Sequence, residues 1–314
     1  MQIYRDLEKI PRLERPIVTI GTFDGVHLGH QKILSRLKDI ASQANGQVVL
    51  LTFHPHPRKV LFPNQNDLQL LSTLDEKVKL LSQYGVQHLV IHPFTKEFSQ
   101  MEHTTFIKEI LVEKLGVHTL VIGYDHQFGH DRKGSFKELA EIAPSYGFKV
   151  EEIPEQDIDE VAISSTRIRK ALFQGDVKDA AHLLGYDYQI SGKVVKGKQL
   201  GRTLGFPTAN LLPIDKDKLV PTMGVYAVLV EVRGTTYKGV LSIGNRPTFD
   251  NGERSIEVNI FDFDADVYNE LITLTFKEFL RGDLKFDSAA DLIVQMNKDK
   301  AKSLELLSTI HVKH

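Results

Sequence analysis

Between Pro16 and about Ile153, short β-branched runs alternate with amphipathic stretches, and this alternation restricts the fold more than any other feature of the chain. PIVTIG, QVVLLTF, HLVIH, HTLVIG and KVEEI read as five strands, the middle ones apolar at consecutive positions and so suited to burial on both faces. Helical spacing fills the intervals near 30–44, 74–84, 104–115 and 135–146. Strand and helix in repetition predict a doubly wound, Rossmann-like parallel sheet with right-handed crossovers. Ligands of such sheets bind at the carboxyl ends of the strands.

The pattern then changes. STRIRKALFQGDVKDAAHLLG reads as one helical stretch ending at Gly185, and beyond it YQISGKVVKG, GVYAVLVEVR, TYKGVLSIG, SIEVNIFDF and LITLTFKEFLR follow one another with only glycines and polar turns between them. Strands without intervening helices predict a small antiparallel β-barrel, flanked by a last helix near 288–307. The sequence therefore divides into residues 1–184 and 185–314, an α/β half and an all-β half. With 314 residues, each half is long enough to bury a core.

Composition excludes several function classes. A net charge of -2 leaves no global basic field for nucleic acid, so phosphate binding has to be local. The absence of cysteine removes disulfides, thiolate catalysis and Cys-ligated zinc. The first residues, MQIYRDLEKIPRLERP, are too charged for a secretory signal, and no apolar run reaches the roughly 18 residues of a membrane span. A cytoplasmic protein without membrane or nucleic-acid partners is expected, with a homo-oligomer left open.

GTFDGVHLGHQKIL, Gly21 to Leu34, places His27 and His30 in the turn after the first of these strands, with His30 expected to open the following helix. A helix N-terminus offers unpaired N–H groups and a partial positive charge to phosphate oxygens. Gly29 lets an anion approach the backbone, and two imidazoles can donate hydrogen bonds to charge building on a leaving pyrophosphate. An isolated His-x-x-His belongs more often to an ordinary turn, and zinc lacks a third ligand of clear spacing. ISSTRIR, 163–169, is by itself a plain helix cap with solvated arginines. Together the two motifs read as the jaws of a nucleoside triphosphate site.

In the second half, GKQLGRTLGFPTANL can wrap phosphates because backbone N–H groups converge where no Cβ intrudes. Thr208 and Asn210 alternate on an extended segment and can both offer oxygen to Mg²⁺. Glu257 sits among apolar strand residues, where a carboxylate needs either an ion-pair partner or a chemical role, such as general base to a hydroxyl attacking ATP. The four carboxylates between Asp262 and Glu270 read as a solvated turn rather than a metal site.

HLGH matches the His-x-Gly-His of the nucleotidyltransferase superfamily. GTFDGVHLGHQKIL, TFHPHP, GYDHQFG and ISSTRIR together resemble the adenylyltransferase module of the bacterial bifunctional riboflavin kinase/FAD synthetase family. GRTLGFPTAN, GVYAV, SIGNRPTF and IEVNIFDFDADVY resemble its riboflavin kinase module. Class I aminoacyl-tRNA synthetases share the first motif but need a lysine-rich second motif that is absent.

The resemblance implies phosphorylation of riboflavin to FMN by the second half and adenylylation of FMN to FAD by the first, with ATP as co-substrate and Mg²⁺ as cofactor. It implies catalytic roles for His27, His30 and Asp125 in one half and for Glu257 in the other. Nucleotide binding would fall to Gly21, Phe23, Asp24, Gly25, Gly29, Ser165, Thr166 and Arg169, and in the second half to Gly201, Arg202, Gly205 and Phe206. Thr208 and Asn210 would hold the metal. Phe53, His56, Pro57, Asn245 and Arg281 would lie on the flavin side, the residues stacking on the ring staying open. Asn269 departs from the family pattern, which has Gly after the tyrosine. Two other readings stand beside this one: an adenylyltransferase for a different phosphorylated metabolite, which leaves the Pro-Thr-Ala-Asn half unexplained, and a flavin or ATP sensor without turnover.

Overall fold

The computed structural model describes residues 1–64, 68–123, 136–153, 163–197, 201, 205–245 and 254–310. The chain forms two compact units, Met1–Ser165 and Thr166–His314.

The first unit is built on a six-stranded sheet of β1 (Gln2–Tyr4), β2 (Pro16–Ile20), β3 (Gln47–His54), β4 (His88–Pro93), β5 (Thr119–Gly123) and β6 (Lys149–Ile153). The strand order is β1-β4-β3-β2-β5-β6 and every pairing is parallel. β2 to β5 are buried over most of their length, as consecutive apolar positions require of a sheet covered on both faces. α1 (Leu28–Ala44) and α3 (Leu74–Gln83) cover one face, where Leu34, Leu50, Leu81 and Leu89 pack together. The other face receives Phe106, Ile107, Ile110 and Leu111 against Val18, Val49 and Leu120.

Three features differ from the sequence reading. β1 is an additional edge strand, too short and too exposed to show periodicity. The stretch near 104–115 begins as α5 (His103–Thr105) and continues as a π-helix over Phe106–Lys114, with the Leu115 N–H reaching back to the Ile110 carbonyl at 3.0 Å. α1 starts at Leu28, so His27 is its N-cap and His30 lies in its first turn. Shorter helices are α2 (Pro57–Leu61), α4 (Lys96–Ser99) and α6 (Phe136–Ile142).

From β2 the strand order runs one way to β3 and β4 and the other way to β5 and β6, so the switch point lies between β2 and β5. The turn carrying His27 follows β2 and opens at that crevice, where ligands of open parallel sheets bind.

The expected single helix after Ile163 is two, α7 (Ser165–Gln174) and α8 (Val177–Leu184). Gly175 ends the first with φ 84°, and Asp176 caps the second by accepting from the Asp179 N–H at 2.9 Å. The barrel comprises β7 (Gln189–Val195), β8 (Ala209–Pro213), β9 (Gly224–Val232), β10 (Thr235–Asn245), β11 (Arg254–Ile260) and β12 (Leu271–Arg281), closed in the order β10-β11-β8-β7-β12-β9. Every ladder is antiparallel, and closure removes the open edges. α9 (Ala289–Leu306) flanks it, started by Ser288, which accepts from the Asp291 N–H at 3.1 Å. Asn269 takes φ 67°, a left-handed conformation that asparagine tolerates better than most residues, so the turn survives without glycine.

Candidate functional site

The turn from Gly21 to His27 is held in an unusual conformation. Phe23, Gly25 and Val26 have φ of 48°, 78° and 39°. For a β-branched residue such as Val26 this costs roughly 1–3 kcal/mol, a strain that persists only where the surroundings impose it. They do so here: Phe23 and Val26 are buried against Leu34, Leu50 and Leu81. The Thr52 hydroxyl donates to the Thr22 carbonyl at 3.3 Å. The Ser165 hydroxyl, at the start of α7, donates to the Asp24 carbonyl at 3.1 Å. That last bond sets Ser165 against the GTFDGVHLGH turn across 141 positions.

Asp24 is a buried carboxylate, and the fold uses both of its oxygens. They accept from the Leu71 N–H at 3.0 and 3.1 Å and from the Ser72 N–H at 3.1 Å. Ser72 closes the connection by accepting from the Gly25 N–H at 3.0 Å. Asp24 therefore acts as a pillar between the turn and the start of α3.

His27 and His30 stack with ring centroids 3.7 Å apart and planes inclined by 19°, and Phe23 lies 4.6 Å from His30. His27 occupies the N-cap of α1, yet its side chain makes no capping bond, which leaves the amides of the first turn for an anion. Nδ1 of His30 is buried with no hydrogen-bond partner among the described residues. Burial, then the neighbouring His27, then Lys77 hold His30 well below its ordinary range, so the imidazole is neutral at pH 7. A neutral imidazole still donates one N–H to a phosphate oxygen.

Phe53 ends β3 half-buried, its ring 5.5 Å from Phe94 and 5.7 Å from Phe98. His56 caps α2, accepting at Nδ1 from the Arg58 N–H at 3.2 Å, and Pro57 takes the first helical position. Thr166 is exposed and Arg169 half-buried on α7. Asp125 lies outside the described residues.

In the barrel, Glu257 on β11 lies opposite Asn210 of β8 and Ser242 of β10. The Thr208 hydroxyl donates to Glu257 Oε2 at 3.3 Å. Three oxygen-bearing side chains from the two motifs thus meet on neighbouring strands. Glycines keep the approach tight: a Cβ on Gly197 would collide with the Asn210 amide, and one on Gly201 with the Phe206 carbonyl. The Phe206 N–H donates back to the Gly201 carbonyl at 2.8 Å, and Gly205 takes φ 81°. Arg202 lies outside the described residues. Among those described, no three His, Cys, Asp or Glu side chains gather as a metal cluster, so a cation here would draw on hydroxyl, amide and phosphate oxygen.

Asn245 is exposed at the end of β10. Arg281 directs its guanidinium to Asp299 of α9, with Nε at 3.1 Å from both carboxylate oxygens and NH2 at 2.7 Å from one. It is a fastening between β12 and α9.

Sequence reasoning passed over Ser72, Phe94, Phe98 and Asn259. Asn259 lies two positions after Glu257 on the same strand face, and its amide donates to the Pro207 carbonyl at 2.7 Å, which positions the Pro-Thr-Ala-Asn turn. The Glu-x-Asn alternation in IEVNIF was the available signal.

A family model described as FAD synthetase matches residues 9–167, and one described as riboflavin kinase matches 184–307. The chain is similar to the bifunctional riboflavin kinase/FMN adenylyltransferase of Listeria monocytogenes, 39% identical over 285 residues that cover 90% of each chain. The protein of the same description from Bacillus subtilis is 37% identical over 301 residues, 94% of each chain. A crystal structure from Streptococcus pneumoniae, described as a macrolide-efflux protein, superposes with a TM-score of 0.86 at 33% identity over 96% of this chain and 97% of that one. Among the described residues here, no helix is long and apolar enough to cross a membrane.

Proposed function

Because the chain belongs to the bifunctional riboflavin kinase/FMN adenylyltransferase family, we propose a division of labour in which residues 1–184 adenylylate FMN and residues 185–314 phosphorylate riboflavin. The family's two reactions are the transfer of the terminal phosphate of ATP to the ribityl hydroxyl, giving FMN and ADP, and attack of the FMN phosphate on the α-phosphorus of ATP, giving FAD and pyrophosphate. Both are in-line displacements, favoured by positioning and charge stabilisation.

In the first half the nucleophile is already an anion and needs no base. His27, His30 and the open amides of α1 would receive the ATP phosphates and the charge that develops on pyrophosphate, with Gly25 and Gly29 allowing close approach. By the family resemblance, Ser165, Thr166 and Arg169 would bind ATP phosphates, and Asp125 would stand near the transferred group. Asp24 would contribute by holding the turn, and Phe53 with Phe94 and Phe98 would offer an aromatic surface to the flavin.

In the second half the nucleophile is a neutral hydroxyl, and Glu257 would take its proton. Thr208 and Asn210 have the hard oxygen donors that suit Mg²⁺ shared with ATP phosphates, and they would hold the ion beside Glu257. That ion would neutralise charge on the phosphates. Asn259 would keep Thr208 in place through Pro207. The absence of a membrane-length helix among the described residues supports a cytoplasmic setting.

The observation that carries this reading is the placement of the carboxylates: Asp24 is occupied by backbone and hydroxyl donors, whereas Glu257 faces the Thr208 hydroxyl. The test is a time course with riboflavin, ATP and Mg²⁺, products separated by chromatography. FMN followed by FAD is expected; ATP left intact with neither product would move the function to a sensor.

A further inference from the structure

β10 and β11 run antiparallel with Ser242 directly opposite Glu257, a pairing that brings the two β carbons to about 4.5–5.5 Å on one face of the sheet. The strand alternation decides which face. Leu241, Ile243, Ile256 and Val258 are buried inside the barrel, so Ser242 and Glu257 both point outward. Ser242 is exposed, and among the described residues nothing bonds its hydroxyl. The same row of the ladder continues in both directions. On the β8 side Glu257 faces Asn210, with the Thr208 hydroxyl donating to it. On the other side Ser242 is followed by the buried Val225 of β9 and then by Arg281 of β12, whose guanidinium is taken by Asp299. Between Glu257 and Arg281, Ser242 is the one side chain of this row able to hydrogen-bond.

We propose that Ser242 is a substrate-binding residue of the phosphorylation site: its hydroxyl bonds the acceptor's polyol chain at the hydroxyl next to the reacting one, and so sets which oxygen faces Glu257. The inference rests on the assignment of Glu257, Thr208 and Asn210 to that reaction. In-line transfer keeps the attacking oxygen and the leaving ADP on opposite sides of the phosphorus. Thr208 and Asn210, assigned to the metal and the phosphates, approach Glu257 from the β8 side, which leaves the β10 side to the acceptor. There the first group met is a serine, whose hydroxyl both donates and accepts and so suits a polyol. Next along the same face Gly244 lies opposite Ser255, and among the described residues a Cβ on Gly244 would meet only the Ser255 hydroxyl, at 3.4 Å. The surface beside Ser242 thus has room for a chain of carbon and oxygen. A straight polyol presents several similar hydroxyls, and a base alone does not choose among them. A second fixed contact does.

The experiment compares the parent with Ser242→Ala in the full chain, each supplied with ATP, Mg²⁺ and either riboflavin or the analogue that lacks the ribityl hydroxyl next to the terminal one. Loss of one neutral hydrogen bond should lower kcat/KM for riboflavin in Ser242→Ala by roughly three- to tenfold. The parent should lose about as much on the analogue. In Ser242→Ala the analogue should cost little further, because the contact it would remove has already gone. A serine that served packing, or that only steadied Glu257, would slow both acceptors alike and leave the preference for riboflavin at its parental value. Should Ser242→Ala lose its cooperative thermal transition, Ser242→Cys, of like shape and a weak donor, takes its place. Parent-like kcat/KM for riboflavin, or an undiminished preference for riboflavin over the analogue, would overturn the proposal. Glu257→Gln separates the two levels: parent-like FMN formation in that variant defeats the site assignment itself, whereas loss there with none in Ser242→Ala defeats only the role of Ser242.

Discussion

The two halves handle phosphates with different materials. The first offers a strained turn at the mouth of α1, two stacked imidazoles and backbone amides, and the buried carboxylate of Asp24 turns inward to Leu71 and Ser72. The second offers a carboxylate on a barrel strand beside Thr208, with glycines pressed against Asn210 and Phe206. The difference follows the nucleophile. A phosphate monoester needs its approach to another phosphate made tolerable, which calls for donors, whereas a sugar-like hydroxyl must lose a proton. The scaffolds agree with this: a parallel sheet delivers helix N-termini to one edge, and an antiparallel barrel delivers side chains from adjacent strands to one face.

The sharpest way to break the comparison is Glu257→Gln. Loss of a general base should lower FMN formation by roughly 10²- to 10⁴-fold while FAD formation from supplied FMN holds, and a parent-like FMN rate would remove Glu257 as base. Next is His30→Ala, with an expected fall in FAD formation of roughly 10²- to 10³-fold, FMN formation being retained. Equal loss of both activities would erase the distinction between the halves.

A third change probes the barrel's fastening. Arg281→Leu leaves the nearly buried Asp299 with Gln295 as its other partner, at 2.9 Å, and should cost about 3 kcal/mol of barrel stability by denaturant titration. A large rise in the KM for riboflavin at unchanged stability would instead return Arg281 to the flavin side.

The smallest expected effect is a pH dependence confined to the first half. His30, His88 and His92 are all held below the ordinary 6.5 by burial. Their folded forms resist a proton that the unfolded chain accepts, so their contribution is complete above about pH 6.5 and is lost as pH falls below it. The second unit has His182 as its one histidine among the described residues, and its melting should respond less between about pH 7.5 and about pH 5.5. Parallel decline of both transitions would contradict this.

Much of this was legible in the residues because the relevant signals are local. Consecutive apolar positions in QVVLLTF announce a strand covered on both faces, and the glycines that precede Pro207 announce a close approach. The His-x-Gly-His turn and the Pro-Thr-Ala-Asn segment were visible for the same reason. What escaped was long-range. Lys77 sits in an unremarked LDEKVKLL pattern that would suit any exposed helix, and only the fold buries it. Asp24 looks like a ligand until the loop at Leu71 arrives 47 positions later. Arg281 looks available until α9 brings Asp299 to it. The π-helix after Thr105 carries the same apolar spacing as an α-helix, so periodicity alone does not separate them.

The claim that the two activities lie in separate halves is tested most directly by mixing variants, with FMN free to pass between molecules. His30→Ala should make FMN without FAD, Glu257→Gln should make FAD from FMN but nothing from riboflavin, and the two proteins together should convert riboflavin to FAD with ATP and Mg²⁺. A mixture that yields no FAD would contradict that claim.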